Sequence, residues 1–531
     1  MARSTPIAPS SRGGGRPAAE HVRLASGQRE ASPRGTKQPH IVLYNPKSNS
    51  AGKRIMPFSL LAIGAVLEGE FDYEIVDGNA GGDADTALAS RAARGALIIG
   101  MTVMPGPQLE DAFARTRALK AAVPNAIVVW GGYFPTEHAE ACLSGGWVDF
   151  AIRGYGEFAT LKLLREIAAG RDPRTSGVIE GIGYRRDDGA VVQGPVARVP
   201  NVEDLPEFPF HRLDMAAYPR ATFLGRRTLG YHSSYGCPFL CNFCGVVSLA
   251  KGRWNAQSPD RVERNLRKYK EEWQVDAVEF YDNNFFTHEQ RCRKISERIA
   301  PLGFSWWGEG RIDTLLKFKD ATWETMTRSG LRMVFLGAES GSAETLARMD
   351  KGGTLTPQMT LDLAARMRSF GVTPEFSFVL GNPPDPEADI ESTLAFVKRV
   401  KEKHPEAEII LYQYTPVPVA GELLDAASQK GFAFPKTLED WTSPEWREVS
   451  RRRSDQLPWI APRQRRRIKD FERVLNAYHP TGTDPRLVGW RRGILRALSG
   501  WRYRTGFYTA PYELRALQKL FRYQRPETAG F

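Results

Sequence analysis

Two blocks of alternating strand and helix signals run through this chain of 531 residues, and they limit the folds open to it. In the first block, short apolar runs at 41–44, 73–76, 96–101, 126–130 and 148–152 are separated by helical patterns such as 60–68, 109–122 and 158–168. In the second, runs at 229–234, 276–281, 304–309, 332–337, 374–380 and 408–413 alternate with helical patterns near 258–272, 287–300, 321–329, 343–349, 357–369 and 388–403. Consecutive parallel strands need a crossover, usually a helix, so this alternation predicts parallel sheets covered by helices. The fold class is therefore α/β: a doubly wound Rossmann-like sheet, then a partial (β/α)6 TIM-type barrel. Both architectures place ligands at the carboxyl ends of their strands. Between the blocks, runs at 179–184 and 190–193 flank Asp188-Gly189, a hairpin turn signal. Pro206, Pro209 and Pro219 then punctuate an extended linker. After residue 420 helical spacing continues without strands, at 468–475 and 487–498.

The first strand of the second block runs into Cys237, Cys241 and Cys244, three of the chain's five cysteines, spaced C-x3-C-x2-C. Thiolates are soft ligands, suited to zinc or to iron–sulfur clusters. A structural zinc wants four protein ligands, and no fourth cysteine is near; His232 is the one candidate for a Cys3His site. Three thiolates on a four-iron cluster would leave one iron open to another ligand. An odd, clustered set of cysteines does not suggest a disulfide framework and suits a reducing, cytoplasmic setting. No apolar run approaches the ~20 residues needed to span a bilayer. Residues 1–38 lack an apolar core of a secretory signal and read as a disordered basic tail, with seven Arg or Lys and two acids. The net charge of +12 is terminal: residues 447–531 hold 20 basic and 7 acidic groups (+13), the first 38 residues +5, and the stretch between −6. Arg465-Arg466-Arg467, Arg491-Arg492, Arg522 and Arg525 interleave there with Trp490, Trp501, Tyr503, Phe507, Tyr508, Tyr512 and Phe521. Such a tail either packs its aromatics on the barrel or meets an anionic partner such as a membrane surface.

The cysteine spacing, with Phe243 just before the third cysteine, resembles the signature of the radical S-adenosylmethionine (SAM) superfamily. The strand ends of the first block resemble the cobalamin-binding domain that precedes the barrel in one large subfamily. The shared features are 57-PFSLL-61 opening the first helix, Gly131-Gly132-Tyr133-Phe134-Pro135-Thr136 after the fourth strand and Arg153-Gly154-Tyr155-Gly156-Glu157 at the fifth. The resemblance implies three cofactors: a [4Fe–4S] cluster on Cys237, Cys241 and Cys244, SAM on the open iron, and cobalamin in the first domain. It implies cobalamin contacts from Ser59, Leu60, Asn79, Thr102, Met104, Gly131, Gly132, Thr136, Gly154, Gly156 and Glu157. The D-x-H-x-x-G motif that carries a cobalt-ligating histidine is absent; Asp77-Gly78-Asn79 stands in its place. For SAM the resemblance implies Phe243, Asp282, Asn283, Arg311, Glu339, Ser340 and Leu380.

The implied domains are a tail (1–38), a cobalamin-binding domain (39–170), a connector with the hairpin (171–227), the radical SAM core (228–418) and a basic, aromatic-rich helical region (419–531). The implied reaction is methylation of an unactivated carbon in a small natural-product or lipid-type molecule, with flavodoxin or ferredoxin as electron donor. The same cofactors also serve oxidative cyclisation or ring rearrangement. A non-catalytic cobalamin or redox sensor is the alternative of another class, and action on tRNA is disfavoured because the basic residues avoid the expected barrel mouth.

Overall fold

The computed structural model describes residues 40–48, 54–80, 88, 97–175, 177–351, 355–450, 457–484 and 487–521. The basic tail 1–38, Arg522 and Arg525 lie outside the described residues.

The first sheet has seven strands: β1 (His40–Asn45), β2 (Tyr73–Asp77), β3 (Leu97–Thr102), β4 (Ile127–Gly131), β5 (Phe150–Ile152), β6 (Ile182–Arg185) and β7 (Val191–Gln193). Their order is β2-β1-β3-β4-β5-β6-β7, with the first five parallel. This is the doubly wound arrangement, its crossing point beside β1 and β3. The expected hairpin forms, but it is no free-standing connector. Strand β6 pairs antiparallel with β5, Phe150 opposite Tyr184, so the hairpin finishes the edge of this sheet. Helix Phe58–Leu67 buries Leu60, Leu61, Ala62, Ala65 and Leu67; with no polar stripe it sits between layers.

The second sheet is built from β8 (Thr228–Tyr231), β11 (Ala277–Phe280), β12 (Ser305–Gly310), β13 (Leu331–Glu339), β14 (Thr373–Leu380) and β15 (Glu408–Gln413). All neighbours are parallel and follow chain order, which makes an open, six-stranded partial barrel. The strand expected at 229–234 breaks after Tyr231. The chain resumes as β9 (Ser234–Gly236), paired with β10 (Trp254–Ala256), and this ribbon carries the cysteine loop. Alternate residues face the helices or the lumen: Val278, Phe280, Trp306, Val334 and Phe376 join the main core. Glu279, Trp307, Glu309, Phe335 and Glu375 occupy the other face.

The region after the barrel divides its packing. Helix Pro462–Tyr478 lies on helix Pro386–Lys403 through Arg463–Glu387 (2.7 Å) and Arg467–Glu391 (2.9 Å). The stretch before it turns back onto the first domain. Leu438 and Trp441 belong to the same buried cluster as Trp130 and Phe134. Trp441 meets Phe134 edge-on at 5.0 Å, and Trp147 Nε1 donates to Glu439 Oε1 at 3.1 Å. Burying a large side chain of this kind stabilises by roughly 1.5–3 kcal/mol. His138, enclosed by Phe134, Phe434 and Trp441, has its pKa pushed down to about 4 by burial. The C-terminal region is thus a strap across both sheets rather than an appendage of the barrel.

Candidate functional site

The carboxyl ends of both sheets open onto one cavity of about 910 Å³. From the first domain it is lined by Ser59, Leu60, Thr102, Met104, Gly131, Gly132, Gly154, Gly156 and Glu157; from the second by His232, Tyr235, Gly245, Val246, Leu249, Asn283 and Val417, among others. Glycine is required at the fourth strand end, where Gly132 has φ +100° and an added Cβ would lie 3.0 Å from the Val103 carbonyl. Two residues expected here do not line it. Asn79 is engaged elsewhere, accepting from Ser48 N (2.9 Å) and donating to Asp77 (3.1 Å). Thr136 acts behind the wall, its hydroxyl donating to Gly132 O (2.7 Å) and accepting from Gly154 N (2.9 Å). It thereby ties two glycine loops together.

Two wall residues, Tyr155 and Tyr133, were given no role by the sequence, and they line the cavity with Glu157 and His232, which were given one. Tyr155 stacks on Tyr235 at 5.4 Å, joining the two domains beside Glu157. Glu157 is buried, and burial pushes its carboxyl up to about 7; its Oε2 has no hydrogen-bond partner. Tyr133 lies against Gly245, where an added Cβ would come 2.5 Å from its ring. The Tyr133 hydroxyl is buried and has no hydrogen-bond partner. A glycine directly after the third cysteine was the available signal. His232 turns to the cavity with its ring 4.7 Å from that of Phe58. Burial lowers its pKa, which keeps it neutral.

The cysteine loop sits behind this wall. Burial raises all three thiols, Cys244 to about 12, and Cys241 raises both of its neighbours further. Arg311 opposes that rise. Its Nη1 donates to Cys241 Sγ at 3.3 Å, its plane lies 3.8 Å over the Phe239 ring, and Asp313 holds it in a two-point pair at 3.0 and 2.9 Å. Its Nη2 also donates to the Lys351 carbonyl at 2.8 Å. Lys351 in turn pairs with Glu339, which holds the left-handed φ of +63° at the end of β13. Such strained backbone persists where the surroundings fix it, often at functional sites.

Of the remaining residues expected around SAM, only Asn283 reaches the cavity. Asp282 is spent on the fold: it accepts from Ser233 N (2.6 Å), Ser233 Oγ (2.5 Å) and Ser234 Oγ (2.7 Å), fixing the break between β8 and β9. Ser340 is fully buried and turned outward to Asp389 (3.0 Å) and Thr393 (3.1 Å). Leu380 is buried in the core between sheet and helices, and Phe243 packs on that core's margin. Neighbouring Asn284 sits beside Cys237, buried, with its Oδ1 unpartnered.

The residues present fit the groups in question. Three thiols on one loop affect each other's ionisation, yet among the described residues no three His, Cys, Asp or Glu side chains gather round a single ion. Three thiolates on one loop are a donor set that suits an iron–sulfur cluster with one open iron, and His232 lines the cavity. The cavity is mainly apolar and floored by glycine backbone, with the orphaned Glu157 Oε2 and Tyr133 hydroxyl at its edge. It suits a large, flat ligand carrying polar arms.

Comparison with known proteins bears on both halves. The B12 binding domain model matches residues 48–164, and the radical SAM superfamily model matches residues 231–397. An uncharacterised methyltransferase of Pyrococcus horikoshii is 28% identical over 369 residues, covering 68% of this chain and 78% of that protein. The anaerobic magnesium-protoporphyrin IX monomethyl ester cyclase of Synechocystis is 27% identical over 327 residues, covering 59% of this chain and 63% of the cyclase. Among solved structures, the radical SAM methyltransferase TsrM from Kitasatospora setae, with cobalamin and a [4Fe–4S] cluster bound, superimposes with a TM-score of 0.61. The match is 16% identical and covers 92% of this chain and 99% of TsrM, a likeness of fold.

Proposed function

The chain belongs to the radical SAM superfamily and carries a B12 binding domain ahead of its radical SAM domain, and from that premise we propose that it methylates an unactivated carbon of a small molecule. Its cofactors are those of the family: a [4Fe–4S] cluster, SAM and cobalamin. The observation that carries the reading is the single cavity shared by the strand ends of both domains, with the cysteine loop at its back. When bound, the cluster and SAM supply a hydrogen-abstracting radical, and methylcobalamin supplies a methyl group.

The chain's own residues supply placement and shelter. Cys237, Cys241 and Cys244 would hold the cluster, and Arg311 places positive charge beside the Cys241 sulfur. Gly131, Gly132, Gly154 and Gly156 would let the backbone of the first domain come close to bound cobalamin, with Ser59, Thr102 and Met104 lining the same cavity. Asn283 and neutral His232 offer the polar contacts on the barrel side. The apolar remainder of the wall keeps water from reactive intermediates. The likeness to enzymes named methyltransferases supports methyl transfer; the likeness to a cyclase supports a second reading, oxidative cyclisation with the same cofactors.

The test is anaerobic reconstitution with iron, sulfide and cobalamin, followed by incubation with SAM. Methylation predicts both 5′-deoxyadenosine and S-adenosylhomocysteine; 5′-deoxyadenosine alone favours cyclisation, and neither product removes the reading. Replacing Cys237, Cys241 and Cys244 by Ala abolishes cluster absorbance and SAM cleavage while cobalamin absorbance is retained.

A further inference from the structure

The last helices carry an apolar face on the outside of the molecule. Among the described residues thirteen large hydrophobic side chains are exposed, and eight of them lie between Val488 and Leu520. On helix Trp490–Thr505 the exposed members are Trp490 (65%), Ile494 (37%), Leu498 (45%) and Trp501 (50%). These are positions i, i+4, i+8 and i+11, which share one side of a helix. The opposite side is occupied: Leu495, Ser499 and Tyr503 are buried against the body of the protein. The stripe is extended past Trp501 by Phe507, while at its other end Trp490 packs on a ring that is itself buried, Phe521. Trp490 meets Phe521 edge-on at 5.7 Å, and Trp501 stacks on the exposed Phe507 at 5.7 Å. The tail's aromatics thus divide: Tyr503, Tyr508 and Phe521 pack inward, and Trp490, Trp501, Phe507 and Tyr512 face outward.

Charge selects the partner. Residues 487–521 contain seven Arg or Lys and one acid, Glu513. Arg491 and the exposed Arg504 border the stripe on either side. The chain's own termini do not complement it: residues 1–38 carry +5 and residues 522–531 +1. A second copy would bring the same sign of charge to the same face. An anionic partner remains. Nucleic acid offers phosphates and flat bases, which suit the tryptophans but give nothing to Ile494 and Leu498. A bilayer interface takes all four, with tryptophans at headgroup depth, aliphatics below and arginines on phosphate. No helix of the described residues is long and apolar enough to cross a membrane, so the helix would lie along the surface.

We propose that the face Trp490–Ile494–Leu498–Trp501, rimmed by Arg491 and Arg504, docks the enzyme on an anionic phospholipid surface.

The test uses the full-length, cofactor-loaded protein with two vesicle types, phosphatidylcholine alone and phosphatidylcholine mixed with phosphatidylglycerol. The expected result is co-sedimentation with the anionic vesicles only, with a blue shift of tryptophan emission. The variant Ile494→Ser/Leu498→Ser/Trp501→Ser should bind roughly tenfold more weakly, and Arg491→Glu/Arg504→Glu should lose the preference for phosphatidylglycerol. Both variants change exposed or bordering positions, and retained cobalamin absorbance shows that each is folded. Failure of the parent protein to sediment with either vesicle overturns the proposal. So does tRNA binding in place of vesicle binding, or a dimer in solution that the serine variant dissolves.

Discussion

Arg311 shows how much one side chain does at this site. Its fork is divided between Asp313, the Lys351 carbonyl and the Cys241 sulfur. Lysine keeps the charge but is a point donor and cannot serve all three. Arg311→Lys should therefore leave the cluster bound but lower its midpoint potential, read by potentiometric titration, because hydrogen bonds to cluster sulfurs favour the reduced state. Glu309 makes a different prediction. It stands on the lumen face of β12, where burial, then Glu375, then Asp282 push its carboxyl up to about 8. Its folded pKa lies above the unfolded one, so the folded form binds more protons across that interval. Stability from this group is present at low pH and lost as pH rises from about 4.5 to about 8. Glu309→Gln should flatten that part of the melting-temperature profile and raise Tm at pH 8 by about 2 °C. What residue type decides could be read from the sequence: three cysteines at that spacing lie together on one loop, where each is close enough to affect another's ionisation. The direction a side chain takes could not. Asp282 and Ser340 occupy expected positions, yet the first is held by Ser233 and Ser234 and the second by Asp389 and Thr393.

At the scale of elements, the strand ends were readable because glycines mark close approach. Gly245, after the third cysteine, carried the same signal unread: its missing Cβ leaves room for the Tyr133 ring. Gly245→Val should displace Tyr133 or the cysteine loop; lower cobalamin affinity together with altered cluster absorbance is the expected outcome in reconstitution. The strap was not readable. Leu438 and Trp441 lie on the four-residue helix Leu438–Trp441, too short to show a period, and nothing local says that its partner is Phe134, some 300 residues earlier. Trp441→Ala should cost about 3–5 kcal/mol, measured by urea unfolding. His138 adds a pH dependence here. Its folded pKa of about 4 lies below the unfolded value, so the strap's stability is full above about 6.5 and declines as pH falls towards 4. Acid should release the strap before it unfolds the barrel, seen as a change in tryptophan emission ahead of the loss of helical circular dichroism.

For the molecule as a whole, alternation in two blocks was enough to give two sheets built on parallel strands, the first doubly wound and the second in chain order. It could not show that the hairpin 182–193 completes the first sheet, because a hairpin signal carries no information about which edge it joins. Nor could it show one cavity between the sheets, which depends on two sets of strand ends facing each other. The strap holds that arrangement from outside: it reaches the first domain at Trp441 and the barrel helix at Arg463 and Arg467.

That strap has a consequence for the order of synthesis. A nascent chain tends to fold domain by domain from its amino terminus, at about 5–20 residues per second. Here the first sheet can form once residue 193 has emerged, but its face over Phe134 and His138 stays bare until residue 441 arrives. For some tens of seconds an aromatic patch would wait for a segment not yet made. The domain translated first is among the last to be finished, and a ribosome that stalls within the barrel leaves it exposed to aggregation.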